Sequence, residues 1–382
     1  MNIVFLIHQE GSLGYSMKRY TESLANKLSK KGYQTQIWAP KLILSKNRKN
    51  KGFGKWLRYI DQYLFFPFSF KWKNINTDKN TIYVLIDQAL GIWTPLIKNK
   101  KHVVHCHDFI ALKSAQGLIP ENPTAWTGRL YQYLILNGFR KASNFISISK
   151  NTQKELGGFL NKKPIINAQI YNAIDQKFKI GSINAARITI GEQINRDVSN
   201  GYILHIGSNT FYKNRNGVLN IYNQWRKLSE KETPLIMIGS APTTAMLRLR
   251  EESPYSEDIH FLTRVEDTIL IQAYQGATVF IFPSLLEGFG FPIIEAMACG
   301  CPVITTDKAP MNEIGGEAAT YITSTSKKTI VNKGALAIET VLNYSKETRE
   351  ELIKKSLLNA KKYQDETFIN DIENIYLEIM AN

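Results

Sequence analysis

Residues 282–307 read FPSLLEGFGFPIIEAMACGCPVITTD. An apolar run over 279–282 stops at Pro283, Gly288 and Gly290 turn the chain, and a second apolar run resumes over 302–305. Pro292 stands between them, where a helix would begin, because proline's missing N–H has no partner in a first helical turn anyway. Strand, loop, helix and strand in this order form the crossover that joins parallel strands of one sheet. Two carboxylates, Glu287 and Glu295, flank the turn eight positions apart. Gly288 and Gly290 allow close backbone approach, and the N–H groups and dipole of the helix start attract anions or sugar hydroxyls. Glu295, about one turn into that helix, can accept two hydrogen bonds from a vicinal diol.

Outward from this unit the alternation repeats. Strand-like runs at 202–206, 235–238 and 260–262 precede it, with a helix expected over 216–228. The chain also opens this way: an apolar run at 2–7, Gly11 and Gly14, then Leu24, Ala25 and Leu28 at helical spacing, Gly32, and a strand at 34–38. Further strands are expected at 82–86, 102–105, 145–148 and 165–169. Residues 176–200 have no clean period and mark the junction. The expected organisation is a Rossmann-like domain over 1–178, a linker or hinge over 179–200, and a second Rossmann-like domain over 201–365. A terminal helix over 366–382, with Phe368, Ile372, Ile375 and Ile379 in one stripe, is expected to pack back on the first domain. The fold class is α/β, two doubly wound domains with a ligand cleft between their switch points.

Composition agrees with two globular domains. The chain has 382 residues, 43% apolar and 21% charged, which excludes disorder, collagen and coiled coil. Cys106, Cys299 and Cys301 form no disulfide framework, the start lacks signal-peptide features, and no window holds an uninterrupted membrane span, so a cytoplasmic protein is expected. The net charge of +15 is uneven: residues 1–200 carry 30 Lys and Arg against 11 Asp and Glu, and the remainder is slightly acidic. Residues 41–73 hold nine basic side chains and one acid, Asp61, interleaved with aromatics from Phe53 to Trp72. That mixture suits an anionic membrane surface, or nucleic acid, or aromatics that join a core beneath a solvated charged loop.

With E-x7-E followed by G-F-G-x-P and A-M-A-C-G-x-P-V-I, residues 282–307 resemble retaining glycosyltransferases of family four, which have the GT-B fold. The resemblance implies that Glu295 binds the ribose hydroxyls of a nucleotide sugar and Glu287 contacts donor-sugar hydroxyls near the reacting carbon. It places the backbone of Gly290 and Phe291 along the sugar ring, with Gly288 and Phe289 in the same donor site. HIGSNTFYKN, residues 205–214, lies where the family has a glycine turn and a lysine that neutralises the donor diphosphate. Lys213 takes that role, beside Ser208 and Asn209. The family commonly adds an arginine where this chain has Ser208 or Tyr212, and Arg215 is expected to compensate, because a diphosphate leaving without a metal needs several positive donors. Arg264 and Val265 fall where the nucleobase would lie.

In the first half, VVHCHD at 103–108 resembles the family's strand-end histidine beside the reacting sugar. His107 would donate to a sugar hydroxyl with Asp108 available to orient its ring. The 11–14 loop resembles the family's glycine loop after strand one, which puts Gly14 and Asp108 on the acceptor side; YNAID at 171–175 resembles its N-G-[IV]-D turn, a structural element. No D-x-D or second ligand cluster accompanies His105 and His107, so neither metal nor other cofactor is expected. The implied activity is retaining transfer of a sugar from a nucleoside-diphosphate sugar to a glycan or lipid-linked acceptor, in polysaccharide or cell-envelope synthesis. An anionic membrane surface is a further expected partner and nucleic acid is not. The alternatives are a nucleotide-sugar epimerase of GT-B fold and a non-catalytic basic binding protein.

Overall fold

The parallel crossover of residues 279–305 sits inside a larger sheet in the computed structural model, which describes residues 1–9, 15–46, 53–74, 78–323 and 326–382. The chain divides into two units, Met1–Tyr171 with Glu366–Asn382, and Asn172–Asp365.

The first unit holds β1 (Asn2–Leu6), β2 (Gln34–Trp38), β3 (Thr81–Leu85), β4 (His102–Cys106), β5 (Asn144–Ser147) and β6 (Ile166–Gln169). They pair in parallel in the order β2-β1-β3-β4-β5-β6. Strands β3 and β4 are buried along their whole length, as a parallel sheet covered on both faces requires. Helix Asp365–Ala381 belongs to this unit and buries Phe368, Ile369, Ile372, Tyr376 and Ile379. Tyr376 lies 3.0 Å from His105 Nε2, and Glu373 accepts from Lys31 and Tyr33.

The second unit holds β7 (Ile203–Gly207), β8 (Leu235–Gly239), β9 (Ile259–Thr263), β10 (Val279–Phe282), β11 (Val303–Thr306) and β12 (Ala319–Ile322), in the parallel order β12-β11-β10-β7-β8-β9. The order reverses between β7 and β10, where Ile203 pairs with Val279. At such a switch point the flanking crossovers leave in opposite directions and a crevice opens at the carboxyl ends. Trp225 and Ile221 of helix Arg215–Leu228 anchor the core against helix Lys327–Leu342. Gly334 makes that approach possible, since an added Cβ would meet Ile221 at 2.9 Å. Each unit is thus Rossmann-like and doubly wound, as GT-B domains are.

Three expectations differ. Residues 179–200, expected as a linker, contain helix Ile183–Ile194, which packs on helix Asp267–Gly276 within the second unit. The unit boundary falls at Tyr171 instead of after 178. Strand β12 was not foreseen, because ATYI is four residues at a sheet edge, three half-buried and only Ile322 buried, with no long apolar run.

Residues 53–74 divide their aromatics between core and surface. Helices Phe53–Ile60 and Phe66–Asn74 are joined by a π turn, Asp61–Phe65. Phe66 and Phe70 enter the core against Trp93 and Trp38, whereas Trp56, Phe68 and Trp72 stay exposed. Gly11, Gly14, Lys49 and Lys51 lie outside the described residues. Among the described residues no helix is long and apolar enough to cross a membrane.

Candidate active site

Two loops at the β7/β10 switch point are tied together. The loop after β7 ends in the turn Phe211–Lys213 and in Asn214, which adopts a left-handed φ of 54°. Asn214 Nδ2 donates to the Pro283 carbonyl at 3.1 Å, and the Leu285 N–H donates to the Tyr212 carbonyl at 2.7 Å. These bonds bring Lys213 and Glu287 together: Nζ to Oε1 is 2.7 Å. Ser284 Oγ donates to the same Oε1, also at 2.7 Å. The lysine and carboxylate side chains are 16% and 9% exposed, so the pair is poorly screened yet reachable. Lys213 Nζ also lies 4.9 Å over the Phe282 ring.

Gly290 turns the chain into helix Phe291–Ala298 at a φ of 110°, which side chains rarely adopt. The Phe289 ring is buried against Phe291 and Tyr363, which makes its side chain part of the core. Glu295, half-buried, accepts from the Tyr274 hydroxyl at 2.9 Å. Desolvation dominates there and raises the Glu295 carboxyl to about 7, against the pull of the Tyr274 bond and of the Lys177 and Lys213 charges. Lys177 is itself held by Asp267 at 2.6 Å and Asp175 at 3.4 Å.

Arg215, at the start of its helix, is 4% exposed. Its Nη1 donates to Asn209 Oδ1 and, at 2.7 Å, to the Ser240 carbonyl, while Nε and Nη2 are buried without a partner. Beside it, His205 Nδ1 lies 2.9 Å from the Ile281 carbonyl. A carbonyl only accepts, so Nδ1 carries the hydrogen and the unpartnered Nε2 is an acceptor. Burial lowers the His205 pKa to about 3, and the Arg215 and Lys213 charges add to that. Buried donors left unmade cost about 1–3 kcal/mol each, so the two open Arg215 groups fit an anion that would complete them. Ser208 is exposed beside Thr210, and Asn209 Nδ2 reaches the Ala241 carbonyl at 2.7 Å. Arg264, exposed and left-handed at a φ of 55°, and Val265 follow β9 at the edge of the same sheet.

The first unit carries its own switch point between β1 and β3. His8, just past β1, meets Asp87, just past β3, at 3.1 Å. Asp87 also accepts the Ala89 N–H at 2.8 Å. Burial opposes its charge, but the His8 bond and charge, His107 and the Ala89 N–H together hold its carboxyl below the ordinary value. His107 has its N–H on Gln88 Oε1 at 2.8 Å and its ring Nε2 2.9 Å from the Ile86 carbonyl.

That geometry refines one expectation and corrects another. The His107 Nε2 hydrogen is committed to the Ile86 carbonyl, so Nδ1 is the ring atom left to meet a sugar hydroxyl. The ring is oriented by Ile86 and by the perpendicular Tyr20 ring at 5.3 Å, while Asp108 Oδ1 accepts the Ile110 N–H at 2.9 Å and starts helix Ile110–Ala115. His105 is spanned by Tyr20 and Tyr376, and burial holds its pKa near 3. Among the described residues no three His, Cys, Asp or Glu side chains are grouped to hold a metal ion. The sequence did not reveal His8, Asp87, Tyr274 or His205 as site residues. A histidine or acid directly after a strand was the one local signal, present at His8 and Asp87 and too common to select them.

Residues 187–357, within the second unit, match the family described as "Glycosyl transferases group 1". The chain is 35% identical over 120 residues to O-antigen chain mannosyltransferase B of Escherichia coli, covering 31% of this chain and 32% of that protein. It is 23% identical over 240 residues to O-antigen chain mannosyltransferase RfbU of Salmonella typhimurium, covering 60% of this chain and 63% of that protein. The matches therefore span less than two thirds of either relative. Among solved structures, sucrose-phosphate synthase from Thermosynechococcus elongatus superposes with a TM-score of 0.74 at 16% identity, covering 100% and 99% of the two chains. Anabaena HepE in complex with UDP and glucose gives 0.69 at 17% identity over 99% of each chain. These two likenesses are of fold.

Proposed function

We propose that the chain is a glycosyltransferase that moves a sugar, with retention, from a nucleoside-diphosphate sugar to a hydroxyl of a glycan or lipid-linked acceptor. The observation that carries this is the set of Lys213, Glu287, Arg215 and Glu295 at the β7/β10 switch point of a unit that matches a glycosyltransferase family. The relatives named for O-antigen mannosyl transfer support a role in polysaccharide or cell-envelope synthesis and make a mannosyl nucleotide the first donor to try. The compartment proposed is the cytoplasm, in keeping with three buried free thiols.

In the proposed reaction the bond from the anomeric carbon to the diphosphate oxygen breaks and the acceptor oxygen bonds to that carbon. The acceptor proton passes to the departing phosphate oxygen. Positive charge grows on the sugar ring and negative charge on the diphosphate. Lys213 and the open N–H groups of Arg215 take up the negative charge, which assigns to side chains the work a metal does elsewhere. Glu287 Oε1 already accepts from two donors, which weakens it as a nucleophile and favours same-face substitution over a covalent intermediate. Its role here is to hold a donor-sugar hydroxyl. Glu295 grips the ribose diol, Ser208 and Asn209 border the phosphates, and Arg264 and Val265 border the base. In the first unit the acceptor side includes Asp108, and His107 meets a sugar hydroxyl through Nδ1.

Calorimetric titration of uridine, guanosine and thymidine diphosphates into the wild type and Glu295→Ala tests this. One nucleotide should bind and the variant should lose about tenfold or more, the size of a lost charged hydrogen bond. Binding of none, or equal binding by the variant, overturns it.

A further inference from the structure

We infer that one face of the first unit, built from helices Phe53–Asn74 and Trp126–Phe139, is a docking surface for an anionic lipid bilayer. On the first of these, Trp56, Ile60, Leu64, Phe68 and Trp72 are all exposed, at a constant spacing of four. On a pure α-helix that spacing drifts about 40° per step and would wind the stripe into the core. The π turn Asp61–Phe65 prevents this: Pro67 has no N–H to give the ladder, and the Phe66 N–H reaches back to the Asp61 carbonyl, five residues away. The wider turn holds back the rotation, so the five side chains stay on the outer side while Phe66 and Phe70 remain buried.

The second helix repeats the pattern. Trp126, Leu130, Tyr133 and Leu134 face outward, and Ile135, Leu136 and Phe139 face the core. The helices are joined by a tyrosine seam, with Tyr131 ring centroids 5.7 Å from Tyr59 and 5.9 Å from Tyr63, and a hydroxyl contact between Tyr63 and Tyr131. Trp72 is 80% exposed, Trp126 75% and Phe68 66%. Single exposed apolar groups need no explanation, but two adjacent outward stripes ending in tryptophans do.

The charges decide the occupant. Lys71, Lys73 and Arg129 are exposed on these helices. Their one acid, Asp61, is buried and spent on the N–H groups of Ile43, Leu44 and Ser45 and on the Ser45 hydroxyl. Those bonds hold exposed Ile43 and Leu44 against the start of the π turn, beside exposed Lys41 and Lys46. An apolar face with tryptophans, bordered among the described residues of these helices by exposed cations and no exposed acid, fits the boundary of an anionic bilayer, where indoles sit among headgroups and basic side chains are drawn to the surface. A second copy of the same face would bring cation onto cation. The inference goes beyond the transferase reading and stands without it, since nucleotide titration reads the second unit.

Flotation of the full chain with vesicles of phosphatidylcholine plus phosphatidylglycerol, and of phosphatidylcholine alone, tests it. The wild type should float with the anionic vesicles only, less at high salt, and brominated lipid should quench its tryptophan emission. The triple variant Trp56→Ser, Trp72→Ser, Trp126→Ser and the charge variant Lys71→Glu, Lys73→Glu, Arg129→Glu should each lose about tenfold or more in partition coefficient. All six positions are exposed, and circular dichroism of both variants should match the wild type. Failure of the wild type to float, flotation undiminished in the folded variants, or a dimer that the tryptophan substitutions dissolve would each overturn it.

Discussion

The Tyr274 hydroxyl donates to Glu295 Oε2 at 2.9 Å from a fully buried ring, and desolvation raises the carboxyl it meets to about 7, so that it titrates near neutrality. A carboxyl so placed couples nucleotide binding to pH. A ribose diol donates hydrogen bonds to the ionised form, so binding should release protons around pH 7.

For Glu295 the folded pKa, about 7, lies above the ordinary 4.5. The folded state then holds more protons than the unfolded state between those values, so stability falls as pH rises through that window. Glu295→Gln should remove this loss: denaturant midpoints of variant and wild type should diverge in favour of the variant from acidic to neutral pH. The same variant should show no proton release in titrations run in buffers of different ionisation enthalpy. A wild type whose midpoint does not fall relative to Glu295→Gln refutes the assignment.

Lys213→Met should lower kcat by about 100- to 1,000-fold, the usual cost of one donor to a developing anion. Its Glu287 partner then keeps only the Ser284 bond of its two Oε1 contacts. Steady-state rates with a nucleotide sugar, together with calorimetry of the free nucleoside, separate the cases. A fall in nucleoside affinity as large as the fall in rate would place Lys213 elsewhere than at the diphosphate.

Arg215→Met removes the two unpartnered N–H groups together with the Asn209 and Ser240 contacts. Wild type should gain thermal stability when inorganic pyrophosphate is added, by the linkage of any ligand that binds only the native state. The variant should lose most of that gain while retaining nucleoside binding. Equal stabilisation of both by pyrophosphate would detach Arg215 from the phosphate site.

Asp87→Asn weakens the contact to His8 at the β1/β3 switch point. Loss of a charge-assisted bond in a half-buried site should cost about 1–3 kcal/mol at neutral pH. Because the folded carboxyl titrates below its ordinary value, the stabilisation is present above pH ~4 and is lost as pH falls through the folded pKa. Urea melts of both proteins should therefore converge on acidification. A gap that stays constant with pH would mean the carboxylate charge plays no part.

Local chemistry determined much of this protein. The apolar runs, the glycine turn at 288–290 and Pro292 are properties of short segments, and they specify strands, a loop and a helix start without help from distant residues. Glu287 and Glu295 stood out because they flank a marked turn after such a strand, and Lys213 through the resemblance of residues 205–214 to the family's glycine turn. Eleven strands were likewise readable, and the twelfth was not, since a short edge strand lacks a continuous apolar run.

Adjacency was left to the tertiary structure. His8 and Asp87 are 79 positions apart, and Lys213 and Glu287 are 74 apart. They meet because crossovers set β1 beside β3 and β7 beside β10, and a parallel strand's partner is chosen by packing over the whole sheet. The same holds for burial: nothing near Arg215 in sequence says that it is enclosed with two open donors, or that Trp56 and Trp72 face outward while Phe66 and Phe70 face in. Residue type and spacing report what a segment can become. Which groups are desolvated, which way a histidine's proton points and which stripe stays bare depend on atoms brought from tens of residues away.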